Sequence, residues 1–271
     1  MIRGLYTAAA GMRSLQDKQN ILNNNLANVS TVGYKADQAI SRSFPEVLMN
    51  SVQFGSGTKK SIGTMHQAVF IEESVPMFNQ GTLIDSNVST HMAIVDENLE
   101  INEETGQKPA IFFKVKDQNG NMFYTRSGLF FEDAAGQLVT PEGHLVMDDI
   151  DFPIDIDGRE FSIDEKGTII FTGGQLDWVQ IQTTKVNDPN KMVKVGEQLY
   201  SIEDESIIDT EFKIGKEDYK ILQGKLEGSN VDVNQTVIDM NTALSLYEAN
   251  QQVVKTIDRT LDLAVNQVGR V

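Results

Sequence analysis

The sequence predicts an α+β protein in which long N- and C-terminal helices pair as a coiled-coil-like domain around a central, mainly antiparallel β domain. Three observations carry this. Apolar residues recur in a four-three rhythm near both ends, short β-type runs punctuated by glycine fill the middle, and the net negative charge is concentrated in that middle. The expected parts are an N-terminal helix over 1–35, a connecting arm over 36–60, an acidic β domain over 61–226 and a C-terminal helix over 227–271 that pairs with 1–35.

The first helix follows from Met1, Leu5, Ala8, Met12, Leu15, Gln19, Leu22, Leu26 and Val29, spaced by fours and threes, with Gln19 the one break. That register draws a narrow apolar seam suited to a partner helix rather than a broad globular face. At 1.5 Å per residue the helix reaches roughly 45 Å. Asn20, Asn23, Asn24, Asn25 and Asn28 are weak helix formers, so the segment needs something to pack against. Those near the seam have two readings of equal weight: buried amides that set register between neighbours, or exposed polar residues. Gly33 suits a left-handed cap that ends the helix near Thr31 or Val32.

At the other end Val233, Val237, Met240, Leu244, Tyr247, Gln251 and Val254 keep the same register, and the seam then drifts through Ile257, Leu261, Ala264 or Val265, and Val268. Asp232 is a natural N-cap, with Gln235 placed to reach back to the cap's amide, and the helix runs nearly to Val271. Single-seam helices at opposite ends can pair with each other and leave surface for further copies, a geometry suited to head-to-tail assembly. The candidate assembly interface is therefore Leu5, Met12, Leu15, Leu22, Asn25, Leu26, Asn28 and Val29 with Val237, Met240, Leu244, Tyr247, Val254, Leu261 and Val268.

In the middle, Ile111, Phe113 and Val115, then Leu129 and Phe131, then Phe161 and Ile163 alternate as half-buried strands do. Asn119-Gly120 and Asp157-Gly158 are hairpin turn dipeptides. Breaks at Gly128, Gly136, Gly143, Gly167 and Gly173-Gly174 keep the strands short, as in a folded-over sheet or partly open barrel. Residues 36–60, with Pro45, Gly55, Ser56 and Gly57 between weak apolar patches, read as an arm ordered by packing.

Catalytic and metal chemistry finds little support. A calcium loop aligned on Gly158 puts Pro153 at its first position, and one aligned on Gly120 puts Val115 there; neither side chain can ligate the ion. Asp148, Asp149 and Asp151 could hold a glycosidase carboxylate pair, but 39 acidic residues offer many such pairs by chance. His66, His91 and His144 lack metal-ligand spacing and read as surface or turn residues, while Trp178 reads as a strand residue covering core. There is no cysteine, hence no thiolate metal site or cysteine nucleophile, and no phosphate-binding glycine motif. No enzyme activity, cofactor or metal is expected.

The net charge of −16 divides into +3 over residues 1–35, −2 over 229–271 and −17 between them. A nucleic-acid partner is excluded by that balance, since phosphate affinity rests on clustered Lys and Arg. No apolar run nears the ~20 residues of a membrane span, so no membrane insertion is expected. The opening Met1–Arg13 lacks the uninterrupted apolar core of a secretory signal.

Asn24-Asn25-Leu26-Ala27-Asn28-Val29-Ser30-Thr31-Val32-Gly33-Tyr34-Lys35, preceded by Leu5-Tyr6-Thr7-Ala8-Ala9-Ala10-Gly11-Met12, resembles the N-terminal signature of the bacterial flagellar rod and hook family. Leu226-Glu227-Gly228-Ser229-Asn230-Val231-Asp232, with Tyr247-Glu248-Ala249-Asn250 and Thr256-Ile257-Asp258, is similar to that family's C-terminal signature. Tyr124-Thr125-Arg126-Ser127-Gly128-Leu129-Phe130, with Gly136-Gln137-Leu138-Val139-Thr140 and Gly143, resembles the β domain of its rod proteins. The resemblance implies a basal-body rod subunit whose paired terminal helices line a hollow tube that transmits torque and conducts export. It also implies passage through the flagellum's own channel to an extracytoplasmic location. The implied partners are further copies, other rod and hook subunits and the flagellar export apparatus. The polar stretch Asp96–Lys108 departs from the family pattern. Two other classes compete: a cell-surface binding module dimerised by its helices, and a wall-cutting enzyme with a carboxylate pair in a cleft.

Overall fold

A computed structural model describes residues 2–45, 47–52, 59–65, 68–97, 99, 101, 106–172, 178–196, 198–209 and 219–268. His66 and the Gly55–Gly57 stretch lie outside these residues. The chain divides into two compact units: Met1–Ala27 with Asp37–Val75 and Asp232–Val271, and Asn28–Ala36 with Pro76–Val231.

The first unit is built on helix α1 (Ile2–Ala27) and helix α2 (Val233–Leu263). They pack antiparallel, because a Cβ added to Gly4 would meet Ile257 Cδ1 at 3.2 Å and one added to Gly11 would meet Asn250 Nδ2 at 3.3 Å. Glycine at these two points lets the helix axes approach. The expected arm is partly strand: Asp37–Ser43 pairs with Val69–Pro76, and Val47–Val52 pairs antiparallel with Lys59–Met65.

Both helix ends differ from expectation. α1 stops at Ala27, and Thr31 N donates to Asn28 O at 3.2 Å in a turn, so Gly33 does not cap it. Gly33 is left-handed, with φ of 71°, for another reason. Its N–H donates to Glu227 O at 2.7 Å, and a Cβ there would sit 2.6 Å from the Ser127 backbone. At α2, Asp232 caps as expected, its carboxylate accepting from Asn234 N and Gln235 N. Gln235 does not return to the cap; its amide donates instead to Asp239 Oδ1 at 3.1 Å. Beyond Leu263 the helix widens into a π-turn over Ala264–Val268.

The second unit is mainly antiparallel β, organised about the strand Ala110–Lys116. One edge pairs with Met122–Thr125 across the Asn119-Gly120 turn; the other is shared by Thr183–Val186 and Leu145–Val146. The strand is buried on both faces. Ile111, Phe113 and Val115 enter one core with Met92, Ile94, Phe130, Leu138 and Ile221, while Ala110 and Phe112 enter another with Tyr124, Val186 and Tyr200. Flanking pairs join Met92–Asp96 to Tyr219–Gln223 and Leu83–Asp85 to Lys225–Glu227.

Several sequence readings shift here. Phe130 is the core residue, whereas Phe131 is 45% exposed, because the chain leaves the Met122–Thr125 strand before this point and the assumed alternation does not carry through. Trp178 lies in a strand, as expected, but on its outer face. His91 is buried, its Nδ1 2.5 Å from Ser86 Oγ, and burial lowers its pKa. Asp157 and Gly158 both take positive φ, as a type I′ turn requires, but Asp155 pairs with Gln137, so this turn does not join two partnered strands.

Candidate assembly site

The terminal helices present two kinds of apolar residue. On α1, Ala8 and Leu22 are buried, while Leu5, Met12, Leu15 and Leu26, and Val29 beyond its end, are half-buried. On α2, the least exposed positions are Thr236, Asp239, Met240, Ala243, Tyr247, Asn250, Val254, Ile257 and Leu261, and all but Asp239 follow a four-three series. Val237 and Leu244 fall outside it and are 36% and 40% exposed. The two buried positions of α2, Thr236 and Ala243, carry small side chains, which permit close approach. A reading based on apolar residues alone takes their larger neighbours instead. The side chain of Val268 is outside the described residues.

Two asparagines have intrachain work. Asn25 is buried, and its amide brackets one residue: Nδ2 donates to Asp37 O at 2.8 Å, and Oδ1 accepts from Asp37 N at 2.9 Å. In this way Asn25 imitates a strand neighbour at the start of Asp37–Ser43. Asn28 Oδ1 accepts from Thr31 Oγ1 at 3.2 Å within the turn that follows α1.

The second unit holds a buried ion cluster that sequence reasoning did not single out. Glu227 Oε1 accepts from Lys35 Nζ at 2.7 Å and from Gly81 N at 2.9 Å; Oε2 accepts from Arg126 Nε at 2.7 Å. Arg126 also donates to Asp96 Oδ2 at 2.7 Å and to Ile111 O at 2.6 Å, and Lys35 donates to Asn79 O at 2.8 Å. Two cations and two carboxylates leave the cluster formally neutral, with hydrogen bonds to most of its polar atoms, which is what makes burial tolerable. Burial, and then the Arg126 guanidinium, pull the Lys35 ammonium down to about 8 against the opposing effect of Glu227. Burial pushes the Glu227 carboxyl up, but Arg126 and Lys35 outweigh it and hold it below its ordinary value. The available signal was a Lys, an Arg and a Glu embedded among the glycine and apolar residues of three separate motifs.

Three family profiles match: flagella basal body rod protein over residues 5–35, flagellar hook protein FlgE/F/G D1 domain over 110–171, and flagellar basal body rod FlgEFG protein C-terminal over 222–267. The chain is 33% identical over 274 residues to the flagellar hook-basal body complex protein FlhO of Bacillus subtilis, covering 100% of both. The chain belongs to the flagellar rod and hook-basal body family. The flagellar basal-body rod protein FlgG of Borreliella burgdorferi is 28% identical with 98% of each chain covered. FlgG of Bacillus subtilis is 28% identical with 98% of this chain and 99% of that one covered.

Each profile contributes one member of the ion cluster: Lys35 from the first, Arg126 from the second and Glu227 from the third. Members of this rod and hook family are structural and non-enzymatic, and this chain is a structural protein of the flagellar basal body. Among the described residues no helix is long and apolar enough to cross a membrane.

Proposed function

We propose that this rod-family subunit polymerises through its terminal helices, paired as in a coiled coil, into a hollow tube that transmits torque and conducts exported proteins. It reaches an extracytoplasmic position through the flagellar channel, delivered by the export apparatus, and meets further copies and other rod and hook subunits there. The observation that carries this reading is apolar surface on α2 left over after α1 has packed. Val233, Val237 and Leu244 lie on one flank of the helix and Leu246 and Val253 on the other, each between 36% and 51% exposed. Each already has about half or more of its surface covered, so completing its burial adds up to roughly half of the ~1.5–3 kcal/mol of a full transfer, and contact on both flanks requires more than one neighbour. The single-sided surface of a closed dimer uses one flank alone.

The test is incorporation in cells that depend on the chain for motility. Leu244→Asp should remove the subunit from isolated basal bodies and abolish swimming while the purified variant keeps its secondary structure. Normal incorporation of that variant would refute assembly through α2.

A further inference from the structure

Deepening the rod reading, and resting on it, we propose that the outer side of α1 is a groove that receives the α2 ridge of the next copy. Two adjoining cavities of about 540 and 530 Å³ share Tyr6, Ala10 and Phe44, and together they run along α1 from Arg3 to Asp17. Their floor is apolar: Phe44 packs on Phe70 with ring centroids 4.9 Å apart, and Tyr6 is 71% exposed above it. At 100° per residue this face lies roughly 130° round the helix from Gly4 and Gly11, which face α2. The groove is therefore open in the single chain and cannot be filled by its own α2.

The ridge has matching form. Val233, Val237, Leu244 and Glu248 align on one side of α2, roughly 100° from the positions that pack inward. The ridge from Val233 to Glu248 and the groove from Arg3 to Asp17 each rise about 21–23 Å along the helix. Charge is complementary as well. Arg3 and Arg13 outnumber Asp17 along the groove, whereas residues 232–254 carry Asp232, Asp239 and Glu248 and no basic residue. Groove and ridge lie on different faces of one unit, so pairing them between copies is heterologous and propagates instead of closing.

A charge exchange tests the pairing in the full chain. Arg13→Glu and Glu248→Arg, each introduced alone in cells, should reduce the amount in isolated basal bodies by about tenfold or more, and the double variant should recover to within about twofold of wild type. Because both positions are on exposed or groove surface, circular dichroism of the purified variants should be unchanged. Single variants that incorporate normally, or a double variant no better than either single, would overturn the pairing while leaving the rod reading intact. Absence of the wild-type chain from basal bodies would overturn both. The chain lacks native cysteine, so Ala10→Cys with Leu244→Cys supplies a second readout: oxidation should give a ladder of linked subunits that neither single cysteine gives, and incorporated subunits without a ladder would count against the pairing.

Discussion

Lys35 Nζ and Glu227 Oε1 lie 2.7 Å apart with both side chains fully buried, although 192 residues separate them in the chain. The contact holds the segment that follows α1 beside the segment that precedes α2, inside the β unit, and Arg126 closes it from a third direction at 2.7 Å. Three stretches that are distant in the chain, around Lys35, Arg126 and Glu227, are thereby tied together within the β unit.

Breaking the cluster on one side strands the rest. Glu227→Ala leaves two buried cations with one carboxylate between them and should destabilise the β unit by about 3–5 kcal/mol. Thermal or urea unfolding of the purified chain measures this. A loss under about 1 kcal/mol would show that the cluster is solvated in solution.

The same carboxylate sets an acid limit. Its pKa is lowered on folding from 4.5, so its stabilisation is complete above that value and is lost as pH falls through the folded one. Glu227→Gln should flatten this limb of the stability curve. Lys35 acts in the opposite sense to an ordinary ion-paired lysine: its value falls from 10.5 to about 8, so the unfolded chain binds more protons between those values, and this group's contribution to stability rises with pH across that window. Unfolding measured from pH 3 to 10.5, wild type against Glu227→Gln, checks the first slope, and the titration of the Lys35 side-chain nitrogen by NMR checks the second.

Gly33 and Gly120 separate close approach from backbone conformation. Both have positive φ, but a Cβ on Gly33 would lie 2.6 Å from the Ser127 backbone, while one on Gly120 meets nothing within 4 Å. Gly120→Ala should cost about 1 kcal/mol, and Gly33→Ala about 2–4 kcal/mol, since strain and overpacking add. Equal losses in a melting experiment would mean that the Gly33 backbone can move away from Ser127.

Leu22 and Leu244 should separate folding from assembly. Leu22 is 9% exposed, so Leu22→Asp puts a carboxylate into the helical unit and should lower its stability by about 2–5 kcal/mol. Leu244 is 40% exposed, and Leu244→Asp should shift the melting temperature little while removing incorporation. Hydrogen exchange on α1 and α2 in each variant reads the difference.

The helices, the acidic β middle and the Asp232 cap were legible because periodicity, turn chemistry and capping are local signals. Ala110 and Phe112 show where local signals stop: the strand alternates as expected, but its second face is also buried, and only the tertiary partners Tyr124, Val186 and Tyr200 reveal that. The choice of Thr236 and Ala243 over Val237 and Leu244 depends on how closely a second helix approaches. The ion cluster escaped because a charged residue reads as exposed until its partner, here nearly two hundred residues away, is brought to it.

The most direct test of assembly through the helices is photo-crosslinking from position 244 in basal bodies isolated from cells carrying a photoreactive residue there. The expected product joins α2 of one subunit to residues 3–17 of another, identified by mass spectrometry. A subunit present in the basal body whose position 244 links only within its own chain, or only to its own β unit, would contradict it.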